Sequence, residues 1–288
     1  MRTVEDFLDY ELIDATMGER LERWGDIILV RPDPQIIWDY PKQDSRWKSP
    51  HAVYHRSQSG GGYWQKLKNI PDFWSISYRD LTFNLKPMGF KHTGLFPEQA
   101  ANWNLMRKVI EKSSRPLNVL NLFAYTGGAT VACLKSGAAV THVDASRGMV
   151  SWAKENAVSS GVADRSVRWL VDDCLKFVER EIRRNHKYDG IVMDPPSYGR
   201  GPNGEVWKLE QQIGKLLNAV SQILSEDARF FILNSYTAGI SPSILNYMVK
   251  STVPKNKNAD VYTDEIGLVV TGRDIILPCG NTTVWLAD

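Results

Sequence analysis

From about residue 103 onward, short apolar runs alternate with longer amphipathic stretches, and this alternation constrains the fold more than any other feature of the chain. Residues 118–123, 139–144, 167–171, 188–194 and 229–234 read as strands, and 129–136, 147–160, 175–185, 206–224 and 242–250 read as helices. Strands that take turns with helices predict βαβ units, hence a parallel sheet covered by helices on both faces. Residues 259–288 lack the helical period and suit two final strands, with an antiparallel edge pair around 284–286.

The first third reads differently. Six of the ten tryptophans (Trp24, Trp38, Trp47, Trp64, Trp74, Trp103) occur by residue 103. Short β-like runs at 27–31, 35–38, 52–55, 74–78 and 81–85 are bounded by Asp-Pro, Ser-Gly-Gly-Gly or Arg-Asp turns. This predicts a small antiparallel β-rich unit. A chain of 288 residues has room for two domains. The expected division is residues 1–90, a β-rich substrate-recognition domain, and 91–288, a Rossmann-like α/β domain.

A hydrophobic share of 43% and a charged share of 24% are ordinary for a soluble globular protein. The net charge of +2 does not by itself announce a nucleic-acid binder. Cys133, Cys174 and Cys279 form no Cys-x-x-Cys pair, which argues against a zinc site and for free thiols in a reducing compartment. The first ten residues lack the basic and apolar regions of a signal peptide, and nothing approaches the ~18 apolar residues of a membrane span. A cytoplasmic protein is expected. The five histidines show no metal-ligand spacing, so no metal is expected. His-Glu-x-x-His, Walker and Gly-x-Ser-x-Gly elements are absent from the sequence.

The candidate chemistry lies at the predicted strand ends, where doubly wound sheets bind their ligands. The first strand runs into Phe123-Ala-Tyr125-Thr126-Gly127-Gly128. Glycines there let the backbone approach a ligand and open the next helix, although a plain turn reads the same way. The second strand ends in Val143-Asp144, about 20 residues further on, where an acid can accept from both ribose hydroxyls. Either Asp144 or Ser146 could instead cap the following helix. The third ends in Asp172-Asp173-Cys174, a carboxylate for an adenine amine or a second helix cap. The fourth ends in Asp194-Pro195-Pro196-Ser197-Tyr198. There two prolines stiffen the loop and remove two N–H donors, Asp194 can orient an exocyclic amine, and Tyr198 can stack on a flat heterocycle.

Together, Asn121-Leu-Phe-Ala-Tyr-Thr-Gly-Gly128, Val143-Asp144-Ala-Ser146, Asp173 and Asp194-Pro-Pro-Ser-Tyr198 resemble the class I S-adenosylmethionine (SAM)-dependent methyltransferases. More narrowly, they resemble the bacterial 23S ribosomal RNA group that includes cytosine-C5 and guanine-N7 enzymes. The likeness covers residues 90–288 and implies S-adenosyl-L-methionine as cofactor and RNA as partner. Carried over, it puts Phe123, Tyr125 and Gly127, with Thr126 between them, along the methionine part of the cofactor. Asp144, followed by Ala145 and Ser146, would bind the ribose, and Asp173 with Cys174 the adenine. Asp194, Pro195 and Pro196 would border the methyl group and the acceptor. The segment Lys91-His-Thr-Gly-Leu-Phe-Pro-Glu-Gln99 is similar to a stretch those enzymes place beside the cofactor, which makes Phe96 and Gln99 its candidate neighbours.

Two departures shape the expected reaction. That group usually begins with an RNA-binding PUA domain, whereas residues 1–90 are similar to its middle β region. Methylation at cytosine C5 needs a thiolate that adds at C6. The cytosine-C5 branch carries that cysteine after the fifth strand, but this chain reads Asn234-Ser-Tyr-Thr237. A heteroatom acceptor is therefore expected, with Cys279 the remaining thiol to consider. The alternatives are a small-molecule or protein methyltransferase, a non-catalytic RNA-binding protein on a retained fold, and a nicotinamide oxidoreductase, the last disfavoured by the missing Gly-x-Gly-x-x-Gly. Arg200 and Lys208, in the loop after Tyr198, could meet phosphate or be simply solvated. The basic run Arg180, Arg183, Arg184, His186 and Lys187 suits a helix end. In the N-terminal unit, Arg46, Trp47, Lys48, His51, Tyr54, His55, Arg56, Trp64, Lys66 and Lys68 mix aromatic faces with charge, as RNA-binding surfaces and small β cores both do.

Overall fold

The computed structural model describes residues 1–4, 6–57, 61–200, 206–237, 239–253 and 259–287. The chain divides into two compact units, one of residues 3–98 and 267–278, the other of residues 1–2, 99–266 and 279–288.

The N-terminal unit is built from β1 (Arg2–Thr3, which starts one residue ahead of it), β2 (Tyr10–Thr16), β3 (Glu19–Trp24), β4 (Ile27–Pro32), β5 (Ala52–Arg56), β6 (Gly62–Lys66), β7 (Trp74–Tyr78) and β8 (Leu81–Leu85). Strands β2 to β6 lie side by side in sequence order. All their pairings are antiparallel except β4 with β5, which is parallel. β7 and β8 form a separate hairpin. An aromatic core of Phe7, Tyr10, Trp24 and Tyr78 holds the unit, with ring centroids 4.6–5.8 Å apart.

Beside this core, Arg31 forks onto Glu22 through Nε at 2.6 Å and Nη2 at 2.7 Å, and the Tyr10 hydroxyl donates to the same carboxylate at 2.8 Å. Arg20 grips Asp33. Burial alone would raise the Glu22 carboxyl, but Arg31, then Arg20 and Tyr10, carry it below the ordinary range. This cluster explains why β2 and β3 escape the sequence reading. Strand β3 spells ERLERW and turns Glu22 inward to meet arginine, so charge occupies a position that patterning assigns to solvent. The strand expected at 35–38 is also absent. Asp33 accepts from the Gln35 N–H and starts a turn, and the Trp38 indole anchors the irregular segment by donating to the Ala15 carbonyl at 2.7 Å.

The second unit starts with α1 (Ala100–Lys112). It continues through β9 (Asn118–Leu122), α2 (Gly128–Lys135), β10 (Ala139–Asp144), α3 (Arg147–Ser159), β11 (Val167–Val171), α4 (Cys174–Arg183) and β12 (Gly190–Met193). A small hairpin of β13 (Tyr198–Arg200) and β14 (Val206–Lys208) leads to α5 (Leu209–Ser221), β15 (Phe230–Ser235) and α6 (Pro242–Thr252). The long strands β16 (Ala259–Val270) and β17 (Ile275–Ala287) end the chain, with their tip, 267–278, belonging to the N-terminal unit. The parallel strands run in the order β11-β10-β9-β12-β15, and β17 adds antiparallel to β15. This is the doubly wound α/β arrangement the alternation predicts, with the order reversing between β9 and β12. Helices α4, α5 and α6 bury Phe177, Leu216 and Leu245 against Leu120, Ile191 and Phe231, while α1 to α3 pack on one another and on the strands of the other face. Among the described residues no helix is long and apolar enough to cross a membrane.

Candidate active site at the ends of the parallel strands

The reversal point of the sheet is flanked by the loops that follow β9 and β12. After β9 the backbone is unusual. Phe123, Tyr125 and Gly127 all take left-handed conformations, at φ of 55°, 51° and 81°. Such geometry is unfavourable for side chains larger than glycine, and here it falls at the end of a parallel strand, where doubly wound sheets bind their ligands. Gly127 has a second reason to be glycine. A Cβ there would lie 2.8 Å from the Cβ of Ala153, so the close approach of α3 requires its absence. Below the turn, His142 is fully buried. Its Nδ1 faces the Thr130 hydroxyl at 2.9 Å, and burial pushes its pKa down to about 3, so the ring stays neutral. Asn156 donates to the Thr126 carbonyl at 2.8 Å and ties the turn to α3. Gly127→Ala is expected to weaken binding of the SAM that the motifs imply by roughly five- to thirtyfold, since the left-handed conformation alone costs roughly 1–2 kcal/mol. Titration calorimetry checks this, and an unchanged affinity would remove the turn from the site.

At the end of β10, Asp144 accepts the Tyr125 N–H on Oδ2 and the Ser146 N–H on Oδ1, both at 2.8 Å. Ser146 caps α3 through the Met149 N–H, so Asp144 is not needed as the cap. Burial raises the Asp144 carboxyl above its ordinary range, against the pull of its two amide partners. A carboxylate has about four acceptor positions. Two are taken, so the donor chemistry of a ribose diol fits what remains. Ala145 and Ser146 are exposed beside it.

The third strand gives a mixed result. Asp172 pairs with Arg180, and Asp173 Oδ1 caps α4 through the Lys176 N–H at 2.8 Å. Cys174 turns inward. Its Sγ accepts the Phe123 N–H at 3.2 Å and the thiol faces the Val143 carbonyl. The Cys174 thiol is thereby taken up inside the fold rather than at the strand ends.

Asp194 sits in a closed ring of side chains. Asn234 Nδ2 donates to its Oδ1 at 3.0 Å and Gln99 Nε2 to its Oδ2 at 3.4 Å. Asn102 Nδ2 donates to Gln99 Oε1 at 2.9 Å and to Thr282 Oγ1 at 3.2 Å, and the Thr282 hydroxyl closes the ring on Asn234 Oδ1 at 2.6 Å. Gln99 also donates to the Tyr236 hydroxyl at 2.9 Å. The donors and acceptors are mutually consistent, and Asn234 and Gln99, which donate to Asp194, are neutral amides. Gln99, expected beside the cofactor, thus lies on Asp194. Phe96 belongs to the N-terminal unit, where its ring tilts against His92 at 5.2 Å.

The two prolines lead into the β13–β14 hairpin. Segment 206–208, expected as the start of a helix, is strand instead. It pairs with Tyr198–Arg200, and the Trp207 indole donates to the Pro196 carbonyl at 2.6 Å. That ring tilts against Phe123 at 5.3 Å, giving the site an aromatic wall that sequence reading missed. Tyr198 is 52% exposed, as a stacking group must be. Residues 201–205 of the glycine-rich loop lie outside the described residues.

The three thiols are buried and unpaired by disulfides. Burial pushes Cys133 up to about 12 and Cys174 well above the ordinary thiol range, so neither supplies a thiolate at neutral pH. Among the described residues no group of three or more histidines, cysteines or acids is placed to hold a metal.

The family described as S-adenosylmethionine-dependent methyltransferase matches residues 50–252. The chain belongs to this family. It is similar to the SAM-dependent methyltransferase of Agrobacterium tumefaciens, at 34% identity and a TM-score of 0.94 over 99% of this chain and 93% of that one. SMU.776 complexed with SAH shares the fold at 18% identity and a TM-score of 0.76, covering 98% of this chain and 76% of that one. The ribosomal RNA large subunit methyltransferase K/L of Shewanella frigidimarina is 31% identical over 241 residues, 81% of this chain and 32% of that protein. The chain thus spans about a third of the length of the curated relatives it matches. Its cofactor is SAM, and the acceptor-side and carboxylate geometry above fits that group.

Proposed function

We propose that this methyltransferase modifies a base of RNA, ribosomal RNA first among the candidates, at a heteroatom. The observation that carries the reading is the pairing of a rigid Asp194-Pro195-Pro196 turn with an aromatic wall, beside a site whose cysteines are buried. The hairpin register puts Tyr198 and Trp207 on opposite faces, so a flat heterocycle would stack on the Phe123–Trp207 wall, and a nitrogen or oxygen acceptor needs no covalent adduct.

The cofactor supplies a methyl group on a sulfonium, and its transfer is an in-line displacement in which positioning and desolvation do most of the acceleration. The left-handed turn at Phe123 and Tyr125 would hold the methionine part, Asp144 the ribose hydroxyls, and main-chain groups around Asp173 and Cys174 the adenine. Asp194, held by Asn234 and Gln99, orients the acceptor and favours positive charge at the reacting centre. Pro195 and Pro196 keep that carboxylate from relaxing. The N-terminal unit recognises the substrate. Three cysteines without a disulfide suit a cytoplasmic enzyme. The K/L relatives support RNA as the substrate by name.

The test is methyl transfer from labelled SAM to unmodified total RNA, followed by digestion and mass spectrometry of the nucleosides. An N- or O-methylated nucleoside is expected. 5-Methylcytosine would overturn the heteroatom assignment, and no transfer, with SAM binding intact, would redirect the search to small-molecule or protein acceptors.

A further inference from the structure

The charge of this chain is unevenly placed. Residues 45–71 contain Arg46, Lys48, Arg56, Lys66 and Lys68 and no acid at all, so against a chain total of +2 the remainder is net acidic. Several aromatic and basic residues of this stretch are structural. Tyr54 and Trp64 meet edge to face at 5.3 Å, and the Trp64 indole donates to the carbonyls of Met88 and Phe90. Trp47 donates to Asp14, and Arg46 pairs with Asp44 and Glu11. His51 accepts the Ile28 N–H.

Lys68 donates to the Ser49 carbonyl, and Lys48 is exposed on the turn at 45–48. The remaining residues of the β5–β6 pair form one surface. In the β5–β6 pair, His55 stands opposite Tyr63, and Val53 opposite Gln65, on one face. The His55 and Tyr63 rings lie 5.3 Å apart at 34°, and His55 Nε2 is hydrogen-bonded to Gln65 Oε1 at 2.8 Å. Tyr63 is 62% exposed. β6 is the last strand of the sheet among the described residues, so its outer edge has no strand partner there. Arg56 and Lys66 emerge from the opposite face of the same two strands and have no ion pair or hydrogen bond among the described residues. An extended ligand along the free edge would therefore meet flat rings and an amide on one side and cations on the other.

We propose that the β5–β6 edge binds single-stranded RNA, with Tyr63 and His55 stacking on bases, Gln65 offering hydrogen bonds to base edges, and Arg56 and Lys66 meeting phosphates. The inference rests on the RNA reading of function and narrows recognition by the N-terminal unit to one edge. Stacking is tolerant of sequence and needs unpaired bases, while the cations supply affinity that falls with salt. A lipid surface would use the cations and the tyrosine but not the hydrogen-bonding amide of Gln65, and it would not distinguish single strand from duplex.

The experiment is fluorescence anisotropy on the full chain with a labelled single-stranded oligoribonucleotide, its duplex, and vesicles containing phosphatidylglycerol. Tyr63→Ala should weaken single-strand binding about tenfold, while Tyr63→Phe should bind as wild type does. Arg56→Ala with Lys66→Ala should flatten the log–log salt dependence by roughly 1.4, at about 0.7 per phosphate contact on a single strand. Equal binding by wild type and all variants, or a loss seen only with vesicles, would overturn the proposal. Methyl transfer to total RNA, run on the same samples, separates the two readings. Transfer with variant-insensitive binding removes this surface and keeps RNA as acceptor. Tyr63-dependent binding without transfer keeps the surface and removes RNA as acceptor.

Discussion

Asp194→Ala lowers kcat by about a thousandfold and leaves the dissociation constant for SAM within about twofold of wild type, as expected for a positioned charge that acts at the reacting centre rather than in cofactor binding. The side chain is reached by Asn234 and Gln99, and through them by Asn102 and Thr282. None of these four carries a charge, so they orient the carboxylate by hydrogen bonds alone. Asn234→Ala and Gln99→Ala should therefore lower kcat by about tenfold each, because a supporting shell fixes geometry that the reacting group needs. Single-turnover kinetics and titration calorimetry on the same preparations separate the two effects. Loss of SAM binding in Asp194→Ala would show that the residue holds the cofactor and would undo its assignment to the acceptor.

Glu22→Ala is expected to destabilise the chain by about 3–5 kcal/mol, because it strands the buried Arg31 guanidinium without its partner. Glu22 is fully buried and Arg31 is 5% exposed, so water cannot take over. The double variant Glu22→Leu with Arg31→Met should lose far less, since removing both charges also removes their desolvation. The pair carries a pH signature as well. Glu22 and Asp33 both ionise below their ordinary range in the folded chain. Their contribution is then fully present above the unfolded carboxylate pKa of about 4, and is lost as the pH falls through the lower folded values. Urea unfolding at neutral and at acid pH measures both effects. An acid limb that persists unchanged in Glu22→Ala would place it elsewhere.

The strand and helix alternation of the second unit was legible because its apolar residues sit where periodicity puts them. The strands at 139–144 and 167–171 agree with the structure to the residue. The carboxylates at strand ends were legible too, since position along a parallel sheet determines what a side chain can reach. Less could be read where a residue works through partners distant in sequence. Asn102 meets Thr282 across 180 residues, and Asn234 meets Asp194 across 40. In Asn234-Ser-Tyr-Thr237 the missing cysteine is what the sequence displays, whereas the asparagine and tyrosine act through Asp194 and Gln99, which only the fold brings near. Trp207 was hidden because the run beginning at Val206 has helical spacing; its first three residues pair as a strand instead. In the N-terminal unit, the polar composition of β3 masked a strand whose inward charges are answered by arginine.

The burial of the thiols has a practical reach beyond the choice of acceptor. Cys133 lies on α2, Cys174 at the start of α4 and Cys279 on β17, so one sulfhydryl sits in each of three parts of the second unit. A maleimide added to the native molecule must wait for each part to open before it can react. Mass spectrometry of timed aliquots would then read three separate opening rates from one unmodified sample, and would show which part of the enzyme loosens when SAM is withdrawn.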